Sequence, residues 1–136
     1  MRTHAAKAVK AQPKMKLAIG PVDYFAAKLA YEMTPWTLKN IIEKTPEQVL
    51  LLDVRSADMF VNAHIPTALN IPLVDLVSKL GTLPKNKTIV TYCSNLTCSL
   101  APKAALELAQ KGFEVKQLVG GLELWQEKGF PVDKKN

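Results

Sequence analysis

Cysteine is scarce in this chain, with two in 136 residues, Cys93 and Cys98. A secreted fold held by disulfides normally carries more. A structural zinc site asks for four ligands, often in closer pairs, and the two histidines, His4 and His64, are far apart in sequence. No metal is expected. Arginine does not recur after Arg55. No apolar run approaches the roughly 20 residues that cross a bilayer. Nor does an apolar stretch follow the basic N-terminus to serve as a signal-peptide core. A cytoplasmic chain without a membrane segment is the expectation. No internal repeat is visible.

What is present fits one ordinary domain: 48% of the residues are hydrophobic and 22% charged. The net charge of +6 is concentrated at the start. Residues 1–20 hold Arg2, Lys7, Lys10, Lys14 and Lys16 and no acid, whereas residues 21–132 carry 11 basic and 11 acidic side chains. A basic, Ala- and Lys-rich stretch cannot bury a core. Residues 1–21 are therefore expected to be a disordered arm, 22–132 a single domain and 133–136 a short tail. Nucleic-acid binding is not expected of a neutral body. A monomer or weak dimer is anticipated.

Strand-like and helix-like segments alternate across the domain. Residues 29–33 read as a short opening strand. Thr34-Pro35 reads as an N-cap with proline at the first helical position, opening a helix through Trp36, Leu38, Ile41 and Ile42. Residues 49–54 form an apolar run of the kind buried on both faces, and 68–71 a short strand. Residues 74–80 predict a short helix closed by Gly81. Thr88–Tyr92 is a β-branched and aromatic run. Ser99 is placed to cap the next helix, with Pro102 tolerated in its first turn and Leu100, Ala104, Ala105, Leu108 and Ala109 at helical spacing. A strand over 115–119 and a helix over 122–128 complete the pattern. Such alternation predicts a parallel sheet covered by helices on both sides.

The informative segment runs from Thr88 to Ser99. An apolar strand ends at Cys93, a short polar loop follows, and a helix begins. Ligands bind at the carboxyl ends of strands in open α/β sheets. Loop amides and a helix N-terminus favour negative charge there. That setting predicts a lowered thiol pKa and a nucleophile with no histidine partner. The local sequence is equally consistent with an inert buried cysteine.

Four motifs in order favour the nucleophile. Leu51-Leu-Asp-Val-Arg55, Ala63-His-Ile-Pro66 with Ala68-Leu-Asn-Ile-Pro72, Tyr92-Cys93 with its loop, and Gly120-Gly121-Leu-Glu-Leu-Trp125 together resemble the rhodanese-like sulfurtransferases over roughly residues 29–132. The resemblance implies a three-layer α/β fold, a mostly parallel sheet of about five strands between helices. It implies an enzyme or carrier in which Cys93 accepts sulfane sulfur as a persulfide. The loop amides of Ser94, Asn95, Leu96, Thr97, Cys98 and Ser99 would hold that anion. A persulfide, thiosulfate or protein-borne donor would supply the sulfur, a thiol or cyanide would remove it, and no cofactor is needed. Asp53 and Arg55 resemble the family's structural pair. His64 is expected to make structural hydrogen bonds, and Trp36 and Trp125 to pack in the core or between helices.

The chain departs from the family at several positions. Active members often have glycine and a cation in this loop, commonly arginine where Cys98 stands. An anionic donor loses a charge-assisted bond worth about 1.5–3 kcal/mol, so thiosulfate is expected to be a poor donor; Lys103 lies one turn into the helix. Cys98 reads either as loop filler or as a resolving thiol. Ala63 and Thr67 replace usual glycines, and Met59 a common acid. A cysteine phosphatase would need an arginine clamp, and Ser99 stands six positions after Cys93. Two other readings stay open: a non-catalytic regulatory or docking module, and a Cys93/Cys98 thiol–disulfide redox protein.

Overall fold

A computed structural model describes residues 18–134. Helix α1 (Pro21–Tyr31) leads into strand β1 (Glu32–Met33) and helix α2 (Pro35–Lys44). Strand β2 (Val49–Asp53), helix α3 (Ala57–Asn62) and strand β3 (Leu69–Asn70) follow. Helix α4 (Leu76–Lys79) is flanked by 3₁₀ turns at Leu73–Asp75 and Leu80–Thr82. The chain ends with strand β4 (Thr88–Tyr92), helix α5 (Leu100–Gln110), strand β5 (Val115–Leu118) and helix α6 (Gly121–Glu127).

The five strands form one all-parallel sheet in the order β1-β5-β4-β2-β3. Strand β4 lies at its centre, pairing with β2 from Val49 opposite Thr88 to Asp53 opposite Tyr92. Alternation of side chains along a strand splits the interior into two cores. Leu52, Ile89 and Cys93 point to one side, where Leu76 of α4 and Ala101, Ala104 and Leu108 of α5 cover them. Leu51, Val90 and Tyr92 point to the other, against Leu38 of α2 and Leu122 and Trp125 of α6. The fold is thus the three-layer α/β arrangement anticipated, and both apolar runs are buried on two faces.

Local chemistry explains the elements and the departures from expectation. Thr34 does cap α2, its hydroxyl accepting from the Thr37 amide at 3.2 Å. The opening strand is shorter than 29–33, because Leu29–Tyr31 continues α1. Ala26-Ala27-Lys28-Leu29-Ala30 is a run of good helix formers, and only Glu32 and Met33 reach β5. Helix α1 starts at Pro21, inside the stretch assigned to the arm, and residues 18–20 are exposed; residues 1–17 lie outside the described residues. Helix α3 was not anticipated either, although Ser56 caps it by accepting from the Met59 amide at 3.4 Å. The tail is partly bound in, since Asp133 pairs antiparallel with His64. Trp125 is buried and donates from Nε1 to the Pro131 carbonyl at 2.7 Å. Trp36 is a correction: it stands exposed, its ring edge-on to Phe130 and under the Lys128 ammonium.

Candidate active site

The carboxyl ends of β2 and β4 are tied by a buried polar frame. Both oxygens of Asp53 accept from Arg55, Oδ1 from the backbone amide at 2.9 Å and Oδ2 from Nη2 at 2.7 Å. Arg55 Nη2 also donates to the Ala63 carbonyl at 2.6 Å. Burial works against the Arg55 charge, but the adjoining carboxylate outweighs it and leaves the guanidinium pKa raised. Asn70 donates to the carbonyls of Asp53 and Arg55, both at 3.0 Å. The Tyr92 hydroxyl accepts from the Ile65 amide at 3.0 Å, and burial pushes its phenol well above the ordinary range. His64 Nδ1 lies 2.7 Å from the Phe60 carbonyl and its ring stacks on Phe60. Asp53, Arg55 and His64 are thus all hydrogen-bonded within the protein.

Cys93 follows β4 directly and is 2% exposed. Its thiol donates to the Cys98 carbonyl at 3.5 Å. Between the two cysteines the chain makes a turn organised by Asn95. The Asn95 carbonyl accepts from the Cys98 amide at 3.2 Å, and its side-chain oxygen accepts from the amide and hydroxyl of Thr97. Two of the six amides expected to cradle an anion are thus turned inward. The amides that face the sulfurs belong to Ser94 and to Leu100 and Ala101 at the start of α5. Leu100 and Ala101 lie just beyond the loop the sequence pointed to.

The thiol pKa values reverse the expectation for Cys93. Burial pushes it up to about 11, with Cys98 adding to the rise, and the amides of Ala101 and Ser94 do not offset this. Burial would raise Cys98 too, but the hydrogen bond from the Cys93 thiol and the amides of Leu100 and Ser94 leave it lowered. The buried Cys93 sulfur loses more hydration as a thiolate than its two oriented amides return. Ser99 occupies the N-cap position of α5 but makes no side-chain cap bond; its carbonyl accepts from the Lys103 amide at 3.2 Å. Lys103 itself is exposed.

Two further residues fix this loop. Thr91, buried, donates from its hydroxyl to the Ala101 carbonyl at 3.0 Å and so holds α5 to β4. A polar side chain in an otherwise apolar run was the signal for it. Gly121 has φ +61, and a Cβ there would collide with the Cys93 carbonyl oxygen. This close approach lets the amides of Leu122 and Glu123 donate to the carbonyls of Cys93 and Ser94, both at 2.9 Å.

The family model of the rhodanese-like domain matches residues 34–128, the span from α2 through α6. The chain belongs to the rhodanese-like domain family. A sulfurtransferase of Allochromatium vinosum is 32% identical over 87 residues, covering 63% of this chain and 79% of its own. An HTH-type transcriptional regulator of Mycobacterium tuberculosis, Rv0324, is 40% identical over 86 residues. Those cover 63% of this chain but only 38% of the regulator, so the chain spans about two fifths of that relative. Among solved structures, the BH2092 protein of Bacillus halodurans superposes with a TM-score of 0.78 at 38% identity, covering 83% of each chain. In this rhodanese-like chain the cysteine, the loop and the Gly120-Gly121 turn occupy one end of the sheet.

Proposed function

We propose that this protein is a sulfurtransferase or carrier of sulfane sulfur that forms a persulfide on Cys93. The observation that carries this reading is the position of Cys93 at the carboxyl end of the central strand, its sulfur facing the Ser94 amide of the loop and the Ala101 amide at the start of α5. Relatives named sulfurtransferases support sulfur transfer in general. In the reaction, the Cys93 thiolate attacks the outer sulfur of a donor and displaces the remainder as a leaving group. The persulfide is more acidic than the thiol, so amides that fail to hold the parent thiolate suffice for its anion. An acceptor thiolate or cyanide then removes the outer sulfur.

Thiosulfate is a poor donor in this scheme. Residues 94–99 contain no cation, and Arg55 is engaged by Asp53 and Ala63. Persulfides, small or protein-borne, need no such clamp. The burial of Cys93 favours one second reading, a rhodanese-like module used for docking rather than catalysis.

The test is incubation of the reduced protein with thiosulfate, or separately with glutathione persulfide, followed by intact mass and peptide mapping. One sulfur atom gained on Cys93 from the persulfide, little from thiosulfate and none in Cys93→Ser is the expected result. A folded protein with free thiols that gains sulfur from neither donor is a docking module instead.

A further inference from the structure

Cys98 takes no part in the chemistry described so far, yet it lies against the one sulfur that does. It is half-buried where Cys93 is buried, so the pair runs from the interior toward the surface. The Asn95 turn folds Cys98 back until its carbonyl meets the Cys93 thiol. Leu96 at the tip of that turn is 77% exposed, which leaves the loop open to solvent. The chain contains no third cysteine. A loop this short adds little closure entropy when its ends are joined.

We infer that Cys98 is a resolving nucleophile that attacks the Cys93 persulfide at its inner sulfur and releases the outer sulfur as hydrosulfide. This rests on the sulfur-carrier reading above and extends it. The Cys98 thiolate forms a bond to Cys93 Sγ, and the bond between Sγ and the outer sulfur breaks. The electron pair of that bond leaves with the outer sulfur, which departs as hydrosulfide. The two cysteine sulfurs end as a disulfide while the sulfane sulfur is reduced to sulfide, so no outside oxidant enters. A dithiol reductant then restores the thiols by attacking the more exposed sulfur, that of Cys98. The ionisation order supports this direction: the negative charge rests first on Cys98, the sulfur that has to attack. The product class is then free sulfide, and the protein depends on a dithiol reductant for turnover.

The experiment loads wild type, Cys98→Ser and Cys98→Ala with glutathione persulfide, removes small molecules without air, and follows intact mass and free hydrosulfide. Wild type is expected to release one equivalent of hydrosulfide and to end two hydrogens lighter than its reduced form. Both variants are expected to keep the added sulfur and release none. Wild type that retains its sulfur as long as the variants overturns the inference and leaves the carrier reading standing. A disulfide that forms in wild type without hydrosulfide overturns it as well. If no protein gains sulfur in the loading step, the carrier reading itself fails, and the mass recorded before release separates that case from the others.

Discussion

A thiol at the end of a buried strand feels two opposed influences, lost hydration and aligned amides, and their balance decides how it reacts. At Cys93 the lost hydration prevails, and a strand–loop–helix pattern cannot show this because it carries no measure of burial depth. The groups facing Cys93 are the Cys98 thiol and the amides of Ser94 and Ala101, with the Arg55 charge felt at Cys98. Below its pKa, a thiol's reactive fraction falls tenfold with each unit of pH. Site-resolved alkylation should therefore modify Cys98 first near neutral pH, with the Cys93 rate climbing until about pH 11. Cys98→Ser removes one cause of the rise and should move the Cys93 midpoint down. Rapid alkylation of Cys93 at pH 7 would contradict the burial account. The glycine departures noted in the sequence also sort themselves by backbone angle. Thr67 sits at φ +76, a left-handed conformation that suits glycine. Ala63 sits at φ −169, extended backbone open to any residue.

Among the elements, helix α6 does more for the sulfur loop than its seven residues suggest. Its first amides hold the Cys93 and Ser94 carbonyls, and Gly121 makes room for them. Gly121→Ala adds a collision with the Cys93 carbonyl to a positive φ whose strain alone is worth about 1–3 kcal/mol. It should lower stability by at least about 2 kcal/mol and abolish sulfur loading, as denaturant melts and intact mass would record. The interior strands and helices α2 and α5 were legible because their signals are local: Thr34-Pro35 opens α2, and Thr88–Tyr92 is a β-branched and aromatic run. Helix α3 escaped because six residues show too little periodicity. Helix α1 escaped because its apolar residues face solvent instead of a core, so no hydrophobic stripe marks it. In the site, Cys93 and its loop were legible as a motif. The inward turn of the Thr97 and Cys98 amides was not, since it depends on how Asn95 folds over its own backbone.

The molecule as a whole concentrates its stability in two cores that share one sheet. Leu38 is fully buried in one of them, whereas no residue of α1 is buried. Leu38→Ala should cost about 2–5 kcal/mol, as large-to-small core changes do. Phe25→Ala, on α1, should stay within about 0.5 kcal/mol of wild type, and paired thermal melts would expose any violation. Among the described residues no helix is long and apolar enough to cross a membrane.

Strand β4 sends Ile89 and Cys93 to one core and Val90 and Tyr92 to the other. It therefore behaves like a reading frame with a period of two. One residue inserted or deleted between Thr88 and Tyr92 would exchange the occupants of the two sides, bringing a phenol to the mouth where the thiol belongs. Two residues would restore the parity and leave the sulfur on its proper side. The site is thus encoded by an even or odd count along the strand as much as by the identity of the residue at its end.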